Sequence, residues 1–556
     1  MRVRRRRALG RSVALLGSLV LLAGALVTAA PAQGLSDAER TLVVSLPGPF
    51  TGCGYLDAGT SPTSRAIGDL LLPSAFYTRP DGSLAGVGGP IASAELVSLS
   101  PQTVVYTVAA KQRWSDGRPF TAADLVAWWQ RAPPLPSVDS DGYRAISSMT
   151  LSSDSLSVTA LFSHPDSYWN QLFRDVEAPG GPTGCAIENL LRRPSLGPYL
   201  VSAASAGRIV LTMNRHWLGD SGRYGRLVLV SDAPVPSAAG TLFAGYSTSV
   251  TAATLQLLSG RPWVSSHLGS VSSIEELAFS PLTQTRRILV REALSWMIGR
   301  QDLINRVFGA VTFSPSVAAS VLFSQGQIGY PGGAGSGPGG QSETPTSTTS
   351  LRPGAPVSIA DCPACVVPTL KSAGLRLLGG HWVGAGGQAL SVRLVSGPLA
   401  LDRNSANLVA GDLRRGGVSV TMTTAPTDLA AARAVGSGRA DLAVFARPTG
   451  SAPTDAARSF TGPPYPDSYS SGLSLPFAGV LYERALATFN PVSAAGAWRE
   501  MDKLLLQSYW VRPLFTPPSL VTWNNLVGGV NGSLSVPGFV DQITGWSTVP
   551  AASTGQ

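Results

Sequence analysis

The sequence predicts an α/β protein built as at least two lobes, on three observations. Strand-like alternation and helical spacing of apolar residues follow one another along most of the chain, a pattern of α/β layers and not of a sandwich or a bundle. The length of 556 residues exceeds the roughly 300 residues at which a single core stops growing. The clearest segment, Val105 to Arg131, carries a strand, a turn and a capped helix in succession.

In chain order, residues 1–32 read as an export signal. Arg2, Arg4, Arg5, Arg6, Arg7 and Arg11 form a basic start, Val13 to Val27 an apolar stretch, and Ala30-Pro31-Ala32 a small-x-small cleavage site. The alternative is an uncleaved anchor, because the apolar run approaches the roughly 18 residues of a spanning helix. Leu22-Ala23-Gly24 is followed by Ala25, where a lipidated leader carries cysteine, so the protein is expected in the cell-wall space or periplasm, or at the membrane surface, without a lipid tether. Those arginines supply most of the formal charge of +9. What remains is too weakly basic to imply a nucleic-acid partner.

In the clearest segment, Val104, Tyr106 and Val108 alternate with smaller or more polar residues, which reads as a half-buried strand. Asp116-Gly117 supplies a tight turn. Thr121 is a good N-cap, Asp124 completes a capping box, and Leu125, Trp128 and Trp129 share one face of the helix that follows. Asp116 and Asp124 are therefore assigned to a turn and a cap.

Gly329 to Pro356 is rich in Gly, Pro, Ser and Thr and is expected to be a mobile surface loop. Its GxGxxG match, Gly335 to Gly340, follows no strand and opens no helix, so it is discounted as a phosphate cradle. With 61 glycines and 43 prolines the chain as a whole stays below a disordered composition. Gly219-Asp220-Ser221-Gly222 imitates a serine nucleophile loop, but Arg223 follows it and it falls between two strand-like segments, where a hairpin turn is the ordinary reading. No HExxH, Walker or G-x-S-x-G sequence is present, so no enzyme and no cofactor are expected.

Cys53, Cys185, Cys362 and Cys365 in an exported chain suggest disulfides. Cys362-Pro363-Ala364-Cys365 can close a small loop, which leaves Cys53 for Cys185. The CxxC spacing also occurs in redox enzymes and zinc sites. His164, His216, His267 and His381 are scattered and no second CxxC exists, so no metal site is expected.

Trp114-Ser115-Asp116-Gly117-Arg118-Pro119-Phe120-Thr121-Ala122-Ala123-Asp124, ending at Trp129, resembles the signature of the peptide-type extracytoplasmic solute-binding proteins of ABC importers. Four further stretches resemble that oligopeptide- and dipeptide-binding family in the same order. They are Leu196 to Trp217; Pro281 to Val307, where Gly299 stands in place of the usual Asp; Ala406 to Met422; and Trp498 to Pro513. The resemblance implies two lobes joined by a hinge, with a subdomain inserted in the first. On that pattern lobe I comprises residues 33–72, 190–255 and 511–556, the insert 73–189, and lobe II 256–510, with its flexible loop at 329–356.

The same resemblance implies capture of a small solute, peptide-like or anionic, by hinge closure, with an ABC permease as partner and the protein acting as a monomer. Closure works because a ligand that touches both lobes only in the closed form shifts the population toward it. In the family the solute adds like a strand, here expected against Leu442 to Arg447, with Tyr55 to Pro62 facing it. Candidate ligand-binding residues are Tyr55, Trp263, Trp382, Phe445, Ala446, Arg447 and Thr449, with Tyr465 a further aromatic. The stretch from Arg447 to Pro453 lacks the acid that pairs with a peptide ammonium in the family, and a buried ammonium without a counter-charge costs several kcal/mol. Arg447 is accordingly read as a fork for carboxylate or phosphate. The alternative function is a non-transport envelope protein that reuses the fold to regulate or scaffold glycolipid or cell-wall assembly.

Overall fold

The computed structural model describes residues 40–54, 61–78, 84–86, 89–132, 140–219, 224–271, 273–309, 315–323, 330–331, 361–449, 453–461, 475–532 and 536–549. The segment expected to be an export signal, most of the Gly/Pro/Ser loop, Asp220 to Arg223, Tyr55 and Tyr465 lie outside them. The architecture is α/β and two-lobed, with one sheet at the centre of each lobe and a third in the insert.

The first sheet has seven strands. Thr41–Leu46 runs at its centre, parallel to Arg226–Ser231 on one side and to Phe243–Ser247 on the other; Arg208–Met213 and Tyr199–Ser205 complete one edge, Pro518–Asn524 and Val264–Ser270 the other. The second sheet has five strands. Its order is Ser419–Thr424, Ser391–Ser396, Leu442–Pro448, Ser273–Phe279 and Val511–Phe515; the first three run parallel and the last two complete an antiparallel edge. Near-continuous apolar runs such as Leu442-Ala443-Val444-Phe445, all buried, are what a strand covered on both faces requires.

Two expected boundaries move. Val264–Ser270, placed in lobe II by the boundary at 256, pairs along its whole length with Pro518–Asn524 in the first sheet. Val511–Phe515, placed in lobe I, pairs with Ser273–Phe279 in the second. The chain thus passes between the sheets only after a strand is finished, from Ser270 to Ser273 and from Phe515 to Pro518. These two links lie side by side, and the amide of Val271 on one donates to the carbonyl of Pro517 on the other at 3.0 Å.

The insert's sheet, ordered Ile91–Leu99, Gln102–Val108, Ser157–Phe162 and Ile146–Leu151, is antiparallel. Its inward residues Val104, Tyr106 and Val108 join the core of the first lobe, as the alternation predicts. Thr121 caps the helix Ala122–Arg131: its hydroxyl accepts from the Ala123 amide and its own amide donates to Asp124 Oδ2 at 2.8 Å. Trp114 and Trp128 are buried, Trp129 is half-buried, and the Trp128 indole donates to Tyr143 Oη at 2.9 Å. Asp116 holds the turn by accepting from the Arg118 amide and Nε, and Gly117 takes the left-handed conformation (φ 88°) that favours glycine.

Candidate functional site

The register of the strands decides where the site lies. Phe243–Ser247 is antiparallel to Pro518–Asn524, with Ser247 opposite Leu520, so it ends at the links; Thr41–Leu46 and Arg226–Ser231, parallel to it, end there too. In the second sheet Pro448 lies opposite Ser273, so Leu442–Pro448 also ends at the links, and its parallel neighbours with it. Both sheets turn the carboxyl ends of their parallel strands toward the crossing and the other lobe. Loops after such ends, and helix N-termini that begin there, are where open α/β sheets bind ligands.

On lobe I the rim is the segment from Pro47 to Gly54. The Thr63 hydroxyl donates to Pro47 O at 2.8 Å, the Gly48 amide to Asp232 Oδ2 at 3.1 Å, and the Gly52 amide to Cys185 O at 3.1 Å. The Cys53–Cys185 disulfide ties the rim to the end of the insert. Behind it, between the helix Pro62–Leu71 and residues 190–195, lies a cavity lined by Gly54, Arg65, Asp175 and Arg193, whose enclosed part of about 30 Å³ has room for a water or two.

On lobe II, Leu442–Pro448 is central, with Ser273–Phe279 along one edge. Among the described residues its other edge is covered only as far as Val444, which faces Ser396; the Gly397 amide closes that ladder on Val444 O at 2.8 Å. Strand alternation therefore turns the amide and carbonyl of Ala446 to the side the neighbour has vacated. Thr449 follows, fully buried.

Arg447 is buried, and its Nε donates to Glu276 Oε2 at 2.8 Å and Nη2 to Val321 O at 2.6 Å, with the guanidinium over the Phe460 ring. Burial pushes the Glu276 carboxyl up while Arg447 pulls it down. The Arg447 charge is thus already met by an acid, a difference from the unpaired fork read from sequence. Nη1 has no partner among the described residues. Nearby Asp502 accepts from the amides of Val321 and Leu322, and burial pushes its carboxyl up to about 6.

Three carboxyl groups missed in the sequence meet at the same edge. Glu275 and Asp402 are fully buried, Asp428 half-buried, and Gly397 passes so close that a Cβ there would overlap both Asp402 and Asp428. Glu275 sits on the strand Ser273–Phe279, opposite Ala446. Asp402 and Asp428 start the helices Ala400–Arg415 and Asp428–Gly436. Among the described residues, both Glu275 oxygens, Ser405 Oγ and one oxygen each of Asp402 and Asp428 lack a well-formed hydrogen bond, yet the groups lie close enough to perturb one another. Desolvation and then the neighbouring carboxylates push Glu275 well up. Burial pushes Asp402 to about 6, and burial with the Asp402 charge pushes Asp428 to about 8. These acids come from a strand and two helix starts far along the chain, not from the stretch after Arg447.

Other expected residues fall elsewhere. Phe445 is buried under the helix Asp428–Gly436 with Ala431 and Ala432. Trp382 is packed in the lobe II core, its indole donating to Gly416 O at 2.8 Å, so it offers a solute nothing. Trp263 precedes Val264, which pairs with Asn524 at the end of its strand remote from the links; the six strand steps from Val264 to Ser270 put that end about 20 Å from them. Cys362 and Cys365 form the second disulfide. Among the described residues no cluster of His, Cys, Asp or Glu is placed to hold a metal ion, and no helix is long and apolar enough to cross a membrane.

Comparison with known proteins agrees with this geometry. The oligopeptide-binding protein OppA of Mycobacterium tuberculosis is 31% identical over 178 residues, and the probable monoacyl phosphatidylinositol tetramannoside-binding protein LpqW of the same organism is 30% identical over 191 residues. Each match spans 29% of this chain and only 29% of the relative's own length. Among solved structures, the periplasmic EDTA-binding protein EppA superposes with a TM-score of 0.76 at 20% identity, covering 93% of this chain and 98% of its own. AppA of Bacillus subtilis, in complex with a nonapeptide, superposes at 0.72 and 13% identity, covering 93% of this chain and 100% of its own. With its fold shared by these structures and residues 90–468 matched by the family model, the chain belongs to the bacterial extracellular solute-binding proteins, family 5.

Proposed function

We propose that this protein, exported from the cytoplasm, captures a small peptide-like or anionic solute in the crevice between its lobes and delivers it as a monomer to the permease of an ABC importer. The observation that carries the reading is the pair of adjacent links at the base of the crevice, toward which both sheets turn the carboxyl ends of their parallel strands. That geometry lets a solute touch both lobes only when they close, so its differential affinity drives closure. The uncovered edge at Ala446 supports strand-like addition of the solute backbone, with Thr449 and the free arm of Arg447 as neighbours. OppA and the nonapeptide-bound AppA, by their names, bind peptides, which favours a peptide-like solute. No bond is made or broken in this role.

Native mass spectrometry of the purified protein tests it. A co-purifying small molecule, lost on unfolding and absent from a variant with Ala446 replaced by Pro, is expected. A protein that carries no solute and binds none from a defined library of di- to nonapeptides overturns it.

The similarity to LpqW favours a second reading, a non-transport envelope protein that binds a glycolipid and regulates or scaffolds cell-wall assembly. A co-purifying mass with acyl chains and hexoses, in place of a peptide, selects it.

A further inference from the structure

Besides the two links, a third set of contacts joins the lobes, and it comes from the insert. The turn Asp166 to Gln171 is braced on its own side: Gln102 Nε2 donates to Asp166 O at 2.9 Å, the Asp166 amide to Gln102 Oε1 at 2.6 Å, and the Tyr168 amide to Asp166 Oδ1 at 2.9 Å. Its far side meets three helices of lobe II. The Ser167 amide donates to Leu486 O at 2.7 Å and its hydroxyl to Ala485 O at 3.3 Å, both at the C-terminal end of the helix Pro476–Leu486. The indole of Trp498, on the helix Pro491–Ser508, donates to Tyr168 Oη at 2.8 Å, with the rings 6.1 Å apart. Thr454, on the helix Pro453–Thr461, places its hydroxyl 3.4 Å from Gln171 Oε1, and both residues are buried.

These contacts have the marks of a fitted joint. The last carbonyls of a helix have no partner inside it; the Ser167 amide supplies a donor to Leu486 O, and its hydroxyl adds a second to Ala485 O, which already accepts from the Thr488 amide. Tyr168 also packs on the apolar cluster that contains Tyr482 and Trp498. Thr454 belongs to the segment that follows the carboxyl end of Leu442–Pro448, so the joint lies on the crevice side of the second sheet, while every contact in it is between protein groups.

We propose that the insert is a latch: the Asp166–Gln171 turn docks on the end of the helix Pro476–Leu486 and on Trp498, and holds the lobes together in the absence of solute. The inference rests on the hinge-closure reading and adds to it that closure has a solute-independent part. Solute entry then waits on release of the latch, and the closed population before binding sets how far a solute can still shift it.

Small-angle scattering of solute-free protein, unfolded in denaturant, dialysed and refolded, tests this on wild type, Trp498→Phe and Tyr168→Ala. Wild type is expected to scatter as the closed form. Trp498→Phe, which removes one partly buried hydrogen bond, lowers the closed-to-open ratio about fivefold, and Tyr168→Ala shifts it further and enlarges the radius of gyration. Equal radii for all three proteins overturn the latch. Should Tyr168→Ala fail to fold, hydrogen exchange at the Ser167 amide of solute-free wild type decides: strong protection supports the latch, and exchange as fast as an exposed turn overturns it. None of these readouts requires a solute, so a failed latch leaves the capture reading to its own mass-spectrometric test.

Discussion

Arg447 and Glu276, on neighbouring strands of the second sheet, form an ion pair at 2.8 Å in which both side chains are almost completely buried. Removing one partner leaves the other as an uncompensated buried charge. Arg447→Ala is expected to destabilise the protein by about 3–5 kcal/mol, read by urea unfolding. Arg447→Met combined with Glu276→Leu is expected to recover most of that loss. If Arg447→Ala leaves stability intact and abolishes solute binding, the guanidinium serves the solute and not Glu276.

The carboxyl groups of Glu275, Asp402 and Asp428 make stability depend on pH in a definite direction. Their folded pKa values are raised, so the folded state binds more protons than the unfolded one, and the stability they contribute is complete below about pH 4. It is lost as pH rises through about 6 for Asp402 and about 8 for Asp428. Urea unfolding at pH 4.5, 6 and 8 is expected to show a shallower decline for Asp428→Asn than for wild type. An identical decline in both proteins contradicts the clustering.

The two disulfides differ in the loops they close. Cys53–Cys185 spans a sequence separation of 132 and Cys362–Cys365 one of 3. By loop-closure entropy the double serine variants should lose about 5 and about 2 kcal/mol, respectively. Only the first is expected to weaken solute binding beyond its effect on stability, because it fastens the Pro47 to Gly54 rim.

Trp382→Ala should separate packing from recognition. A cost of about 3–5 kcal/mol is expected for an emptied core site, with solute affinity unchanged at temperatures where the variant remains folded. Loss of affinity in the folded variant would return Trp382 to the crevice.

How much was legible in the sequence follows the range of the interactions. The Val104–Val108 strand, the Asp116-Gly117 turn and the Thr121 cap were readable because each rests on residues a few positions apart. Family resemblance carried the two-lobed architecture, but not that Val264–Ser270 completes the first sheet, because strand order is a matter of pairing between distant segments. The site was the least legible part. Trp263 and Trp382 look in sequence like any aromatic that could line a crevice, and only the register of their strands shows where they stand. Glu275, Asp402 and Asp428 gave no signal because they meet only when two helix starts and a strand converge beside Gly397.

The paired links from Ser270 to Ser273 and from Phe515 to Pro518 have a mechanical consequence. A single tether would leave one body free to swivel about three axes relative to the other. Two short tethers side by side, stitched by the Val271 amide, suppress twisting and sliding and leave chiefly one bending coordinate. On the proposed capture role, one jaw-like stroke would present the same outer faces whatever the guest.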